Sequence, residues 1–186
     1  MIFREIEDRD AILRARRGDV EAYNLLVSRW ERRIFSYLVR IVGDREDALD
    51  LSQETFLKAY RGLPRLEEVE RFPQWLFRIA HNEAMSLRRR KRPEIDPEQD
   101  PAAAPERRME GALGQRAELS LAVDQALARL PEEQREAVLL KVYQGFKFNE
   151  IAAILECPVS TVKSRVYAGF EALKSALAPA AAGSAG

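Results

Sequence analysis

The spacing of proline divides this chain of 186 residues into two blocks. Four of its nine prolines follow one another at intervals of four residues, at Pro93, Pro97, Pro101 and Pro105. Proline inside a helix costs about 3 kcal/mol, so a helix is not expected to run through this stretch. The resulting prediction has four parts: an N-terminal domain over 1–92, a flexible linker over 93–118, a C-terminal domain over 119–178 and a disordered tail over 179–186.

Both blocks predict α-helices, because apolar residues recur every three or four positions and not in strict alternation. In the N-terminal block Asp19 and Asp44 are predicted N-caps, and Gly43 ends the helix between them. Four helices with short connections predict a compact bundle. The apolar stripes of the second, third and fourth helices are Leu26, Val27, Trp30, Ile34, Leu38 and Ile41; Ala48, Leu51, Thr55, Phe56 and Ala59; and Phe72, Trp75, Leu76, Ile79, Ala80 and Leu87.

The C-terminal block predicts a helix-turn-helix, in which a short helix over 149–155 and a longer one over 160–177 flank a tight break. We predict that a helix begins at Pro131, runs to about Tyr143 and stops at Gly145. The core of the helix pair is predicted to be Ile151, Leu155, Val162 and Val166. The predicted fold class is therefore all-α: two small helical domains, a four-helix bundle and a helix-turn-helix domain, joined by a flexible linker.

Composition excludes several classes of protein. One cysteine, Cys157, and one histidine, His81, supply neither an internal disulfide nor a structural zinc site. The chain has no apolar run of the roughly 20 residues that span a bilayer and no Gly-rich phosphate loop. We therefore expect a cytoplasmic protein that is not itself a membrane protein, without enzymatic activity, cofactor, metal or small-molecule substrate. Cys157 is expected to be a small buried apolar residue.

The net charge of zero is a cancellation. Residues 1–92 hold 20 basic and 16 acidic side chains, the linker holds three and seven, and residues 119–186 hold seven of each. The basic excess includes five consecutive cations over 88–92, which could meet the phosphates of a nucleic acid or simply lie solvated at a helix end.

The outward face of the same helix favours nucleic acid. It carries cations, an amide that can read a base edge and side chains that can contact an unstacked base. The loop before it, Gly62–Arg71, could hold an extruded base, whereas His81 by itself indicates a surface residue. The residues of this face are Gln74, Arg78, His81, Asn82, Met85, Arg88 and Arg89.

Two further patterns have a functional and an ordinary interpretation. The second helix of the helix-turn-helix carries Lys163, Ser164, Arg165 and Tyr167 after a predicted cap at Ser160, which suits a major groove but also an ordinary helical hairpin. Asp47, Asp50 and Glu54 form one acidic stripe, which a basic partner protein or solvent could face.

Three stretches resemble the extracytoplasmic-function (ECF) sigma factors of bacteria, the smallest members of the sigma-70 family. DALDLSQETFLKAYR (47–61) is similar to the segment of that family that docks on core RNA polymerase. FPQWLFRIAHNEAMSLRRRKR (72–92) is similar to its helix that melts and reads the −10 element, and NEIAAILECPVSTVKSRVYAGFEAL (149–173) to its helix-turn-helix for the −35 element. The order of the three stretches around a linker makes the resemblance specific, and the resemblance covers nearly all of residues 10–177.

The resemblance implies a role for each group of residues. Core polymerase would be bound by Asp47, Asp50, Gln53 and Glu54. The −10 element would be bound by Arg78, His81, Asn82, Met85, Arg88, Arg89 and Arg90, with Asn82 at the flipped base. The −35 element would be bound by Ser160, Thr161, Lys163, Ser164, Arg165 and Tyr167, with Arg165 on phosphate or in supporting contacts.

The expected partners are core RNA polymerase, promoter DNA and an anti-sigma factor. Three positions depart from the pattern of the family: Lys147 replaces a capping Ser or Thr, Ser160 replaces Gly, and Ala168 replaces a basic residue. Two other functions stay open from the residues alone. One is a stand-alone helix-turn-helix regulator that binds duplex DNA without polymerase, and the other is a protein-interaction scaffold.

Overall fold

The protein is built from helices that form two compact units. A computed structural model describes the backbone of residues 2–91 and 115–182 and the side chains of 8–91 and 121–178. In these residues it contains helices and no strand, which confirms the all-α class. The first unit is built on α1–α4, and the second on α5, α6, α8 and the part of α7 up to Ala152. The bounds are α1 Ile2–Ala15, α2 Val20–Val42, α3 Arg45–Gly62, α4 Phe72–Lys91, α5 Gln115–Arg129, α6 Glu132–Val138, α7 Phe148–Leu155 and α8 Val159–Ala182.

The predicted caps of the first unit are confirmed. Oδ1 of Asp19 accepts a hydrogen bond from the backbone N–H of Ala22 at 3.0 Å, and Oδ1 of Asp44 accepts one from the N–H of Asp47 at 2.9 Å. Gly43 ends α2 with a φ of +88°, a backbone conformation that glycine adopts without strain. The hydrogen bond from Ala22, reinforced by Arg14, lowers the pKa of the Asp19 carboxyl.

Helix α2 lies at the centre of the first unit and packs against α1, α3 and α4. Its stripe of Leu26, Ile34 and Leu38 is buried as predicted. The hydroxyl of Tyr23 donates to the carbonyl oxygen of Phe56 at 2.5 Å, which joins α2 to α3, and burial raises the pKa of this tyrosine. These contacts fix the position of α3, on which the acidic stripe lies.

The predicted inner face of α4 is partly wrong. Phe72, Leu76 and Ala80 are buried, but so are Phe77 and Ala84, which were not predicted. The Phe77 ring packs edge-on against Tyr37 of α2, with 5.3 Å between the ring centres. Because α4 is covered by both α2 and α3, its buried stripe is rotated from the predicted one. The predicted inner residues Trp75, Ile79 and Leu87 are only half-buried.

The second unit contains the predicted helix-turn-helix. Ile151, Val162 and Val166 are buried as predicted, whereas Leu155 is half-buried and Ile154, which was not predicted, is buried. A π-helical turn, Leu139–Tyr143, continues α6 until Gly145 ends it with a φ of +75°. Helices α6 and α8 cross closely at Gly169, where an added Cβ would lie 2.7 Å from Cγ2 of Val138.

Two predicted boundaries differ from the structure. Helix α5 begins at Gln115, so residues 115–118 of the predicted linker are helical, while 93–114 lie outside the described residues. Helix α8 continues to Ala182, through Pro179 and four residues into the predicted disordered tail. Residues 183–186 lie outside the described part. Among the described helices, none combines the length and apolar character needed to cross a membrane.

Candidate nucleic-acid and partner surfaces

The outward face of α4 brings most of the predicted −10 residues together. Arg78, Asn82 and Arg89 are exposed, and His81 and Met85 beside them are half-buried. They lie on the side of α4 opposite the buried stripe of Phe72, Leu76 and Ala80, because residues three, four and seven apart share a helix face. This face therefore offers guanidinium groups, one amide and a soft apolar side chain to a common ligand.

The basic run at the end of α4 is divided between scaffold and surface. Nη2 of Arg88 donates to the carbonyl oxygen of Ile41 at 2.5 Å, in the last turn of α2. The ammonium group of Lys91 pairs with the carboxylate of Asp47 on α3. Arg89 and Arg90 are exposed, and Arg92 lies outside the described residues.

The structure thus gives Arg88 a role other than the predicted DNA contact. Its guanidinium faces α2, where the last carbonyl groups of a helix carry a partial negative charge. A cation at this position satisfies a carbonyl that no further turn of α2 can reach. We therefore leave Arg88 out of the nucleic-acid surface.

The loop between α3 and α4 is anchored by its own buried side chains and by a contact with α4. Two 3₁₀ turns, Leu63–Arg65 and Val69–Arg71, form most of it, and Leu63, Leu66 and Val69 are buried. Gly62 lies against the indole of Trp75, where an added Cβ would be 2.9 Å from Cζ2. The loop that could hold an extruded base is thus anchored beside the outward face of α4.

The acidic stripe of α3 is partly neutralised within the chain. Asp50 and Gln53 are exposed, whereas Asp47 and Glu54 are half-buried. Asp47 pairs with Lys91 of α4, and an oxygen of Glu54 lies 3.9 Å from Nζ of Lys58. The repulsion between these like charges is therefore already reduced at both ends of the stripe, and no basic partner is required to reduce it.

An apolar groove between α2 and α3 was not predicted. Its volume is about 800 Å³, and its α3 side includes Leu49, Leu57 and Tyr60, all of which are exposed. A signal existed in the sequence: Leu49, Gln53, Leu57 and Tyr60 recur at steps of four, four and three. Gln53, predicted from the resemblance, lines the same groove. The acidic stripe and the groove are adjacent faces of one helix.

Helix α8 presents the predicted −35 residues with two differences. Lys163, Ser164 and Tyr167 are exposed and Thr161 is half-buried. The first difference is that Ser160 does not cap the helix. The N–H of Val162 bonds to the carbonyl of Pro158 at 3.1 Å, so α8 begins at Val159 and Ser160 lies in its first turn.

The second difference concerns Arg165, which supports the helix pair. Its side chain is only 23% exposed, its Nη2 lies 2.7 Å from Oε2 of Glu133, and its Nη1 lies 3.8 Å from Sγ of Cys157. Of the two roles predicted for Arg165, these contacts correspond to the supporting one. Cys157 is half-buried in the turn, so it is less buried than predicted.

The start of α7 matches the predicted departure at Lys147. No side-chain oxygen is present at this N-cap, but Oε2 of Glu150 accepts a hydrogen bond from the N–H of Lys147 at 2.7 Å. This is half of a capping box, and it orders the helix start without Ser or Thr.

Comparisons with known proteins match both blocks of the chain. Residues 26–94 match the family model for sigma-70 region 2, and residues 120–173 match that for sigma-70 region 4. The chain is 35% identical to the RNA polymerase sigma-H factor of Pseudomonas aeruginosa, over 93% of this chain and 95% of that protein. It is also 35% identical to the ECF RNA polymerase sigma-E factor of Escherichia coli K12, over 94% and 96%.

Two solved structures are similar in fold. CnrH, in complex with the cytosolic domain of CnrY, matches with a TM-score of 0.69 and 26% identity over 93% of this chain and 98% of that one. The sigma factor RpoE in complex with the anti-sigma factor NepR from Bartonella quintana matches with a TM-score of 0.64 and 26% identity, over 83% and 96%.

Proposed function

The chain belongs to the extracytoplasmic-function sigma factors of the sigma-70 family, and from this premise we propose which of its surfaces bind polymerase and promoter. It is a sigma factor that binds core RNA polymerase and directs promoter-specific initiation of transcription. We assign core binding and the −10 element to residues 1–92, and the −35 element to 119–178. The acidic segment 93–118 joins them.

The −10 surface is the outward face of α4. The observation that carries this assignment is that Arg78, Asn82 and Arg89 are exposed together on one face. Extruding a base from duplex DNA costs a few kcal/mol, and binding of the extruded base to Asn82, beside His81 and Met85, offsets that cost. Arg78, Arg89 and Arg90 bind the phosphates on either side of the extruded base.

Core polymerase binds along α3. Asp47, Asp50, Gln53 and Glu54 supply polar contacts. We add the groove residues Leu49 and Leu57, because exposed apolar side chains that line a groove mark an interaction surface. The acidic side chains set the orientation of the partner, and the groove supplies apolar area.

The −35 element binds to the exposed side of α8. Lys163 suits the acceptors of a guanine edge, Ser164 can reach either a base or a phosphate, and Tyr167 offers its ring to a thymine methyl group. Ser160 and Thr161, in the first turn of α8, approach the DNA backbone, while Arg165 holds the helix pair in place.

We also propose that an anti-sigma factor controls this protein. One similar structure is a sigma factor in complex with an anti-sigma factor, and the other is CnrH in complex with the cytosolic domain of CnrY. Because its partners are polymerase and DNA, the protein acts in the cytoplasm and needs no catalytic activity of its own.

The proposal is tested by gel shift and run-off transcription with purified full-length protein. A promoter fragment should be bound only when core polymerase is present, and specific run-off transcripts should appear. Tight binding of duplex DNA without core polymerase would indicate a stand-alone regulator. Binding of another protein but not of DNA would indicate a scaffold. Asn82→Ala should reduce opening of duplex promoter but leave transcription from a pre-melted −10 bubble closer to wild type.

A further inference from the structure

Phe148, the first residue of α7, lies at the centre of a cluster of cationic and aromatic side chains. Nζ of Lys141 is 4.8 Å from the centre of its ring, and Nζ of Lys163 is 5.8 Å from it. The ring of Tyr167 lies 6.2 Å away at an interplanar angle of 48°. Both ammonium groups are within the distance of about 6 Å at which the quadrupole of an aromatic ring attracts a cation.

The members of this cluster differ in how they are held. Phe148 is half-buried at the start of α7, and Nζ of Lys141 donates to the carbonyl oxygen of Phe146 at 3.2 Å. Lys163 and Tyr167 are exposed and four residues apart on α8, so they share one face. A fixed ring from the first helix of the pair thus contacts two exposed side chains of the second.

We propose that Phe148 is a positioning residue for −35 recognition that acts through the ammonium group of Lys163. This inference rests on the proposed contact of Lys163 with DNA. A lysine side chain has many rotamers, and the entropy lost when DNA fixes one of them weakens binding. The ring of Phe148 restricts the ammonium group before DNA binds, so less entropy is lost on binding. The side chain of phenylalanine has no hydrogen-bonding group, so the ring of Phe148 itself cannot hydrogen-bond to a phosphate.

The test is a double-mutant cycle on the full-length chain assembled with core polymerase. The DNA is a promoter fragment whose −35 element has been selected by the wild-type holoenzyme from a randomised pool. F148L keeps most of the apolar volume and removes the ring, whereas F148Y keeps the ring. We expect F148L to weaken binding about two- to fivefold, the size of an exposed cation–π contact, and F148Y to bind like the wild type.

The second arm of the cycle repeats F148L in a K163M background, where we expect no further loss of affinity. The cycle removes any loss of folded protein that both backgrounds share. Phe170→Leu, at an exposed phenylalanine of α8, is the control for the loss of a ring and should leave affinity unchanged. The preference for the selected base pairs over substituted ones should fall in F148L and K163M together.

Two results would overturn the inference while leaving the proposed function intact. In the first, K163M weakens binding but F148L binds as tightly as wild type or more tightly. In the second, F148L causes the same loss with Lys163 present and absent, so that the ring acts independently of it. If K163M itself leaves −35 dependence unchanged, the proposed role of Lys163 fails and the inference fails with it.

Discussion

Two neighbouring arginines, Arg88 and Arg89, should respond to substitution in opposite ways. The Arg88 guanidinium donates to the carbonyl oxygen of Ile41 at the end of α2, whereas Arg89 is exposed on the outward face of α4. We expect Arg88→Ala to destabilise the first unit with little direct effect on salt dependence. Arg89→Ala should leave stability unchanged and reduce the salt dependence of promoter binding.

The expected magnitude follows from the contact of Arg88 with α2. A hydrogen bond from a charged donor contributes about 1.5–3 kcal/mol when it is buried. Arg88 is half-buried, so solvent screening reduces this to about 1–2 kcal/mol. For a unit of this size, such a loss lowers the unfolding midpoint by roughly 5–15 °C. An exposed arginine such as Arg89 changes stability by less than about 0.5 kcal/mol.

Tryptophan fluorescence measures this difference in the full-length chain. The only two tryptophans in the sequence, Trp30 and Trp75, both lie in the first unit, so their emission reports the unfolding of that unit. Promoter binding by the holoenzyme is then measured at several salt concentrations, below the unfolding midpoint of each variant. If Arg88→Ala leaves the fluorescence transition unchanged and lowers the salt slope as much as Arg89→Ala does, the assignment of Arg88 to the scaffold is refuted.

Three further predictions concern other parts of the chain. Gly169→Ala should overpack against Val138 and destabilise the second unit by about 1–3 kcal/mol, measured by far-UV circular dichroism; an unchanged transition would contradict the close crossing of α6 and α8. Leu57→Asp should weaken the affinity for core polymerase by about tenfold or more in a competition assay, because it places a charge in the apolar groove. The control Leu25→Asp, at a leucine of similar exposure outside the groove (43% against 50%), should have little effect, and equal effects would contradict the assignment. Because the pKa of folded Asp19 is lowered, its charge stabilises the protein above the ordinary pKa of about 3.9, and this contribution is lost as the pH falls through the folded-state pKa. Asp19→Asn, which keeps a capping oxygen, should therefore be less stable than wild type at neutral pH, and the difference should shrink as the pH falls below the ordinary pKa of about 3.9; a difference between the urea midpoints that does not change with pH would contradict this.

Features that depend on neighbours in the sequence were predictable. Asp19, Gly43 and Asp44 mark helix ends because their effects act within three or four residues, and all three are found where predicted. Ser160 is the exception, since Pro158 supplies the first carbonyl of α8 and the helix starts two residues too early for a cap at Ser160. Proline has a preset φ near −65°, and here it decided the start of the helix.

Features that depend on the rotation of packed helices were not predictable. The contact of Arg88 with Ile41 joins residues 47 apart in sequence, and that of Lys91 with Asp47 joins residues 44 apart. A run of cations looks uniform in the sequence. Its members point in different directions only in the folded helix, and the packing of that helix decides which of them contact neighbouring helices. The half-buried position of Trp75 has the same origin, since α4 buries Phe77 instead.

The division of the basic run bears on why such a protein should depend on polymerase. Each phosphate bound on a single strand contributes about −0.7 to the slope of log affinity against log salt. With Arg78, Arg89 and Arg90 as the contacts of the first unit, that slope is about −2, whereas the whole run of five cations would give about −3.5. So small an electrostatic contribution predicts weak binding of DNA by the first unit alone. In our proposal, docking of α3 on core polymerase raises the effective concentration of this surface at the melted strand, so the same contacts would suffice in the assembled enzyme. In the same proposal Arg88 and Lys91 do not bind DNA. They hold α2 and α3 in place instead, and in this way they support the proposed polymerase surface.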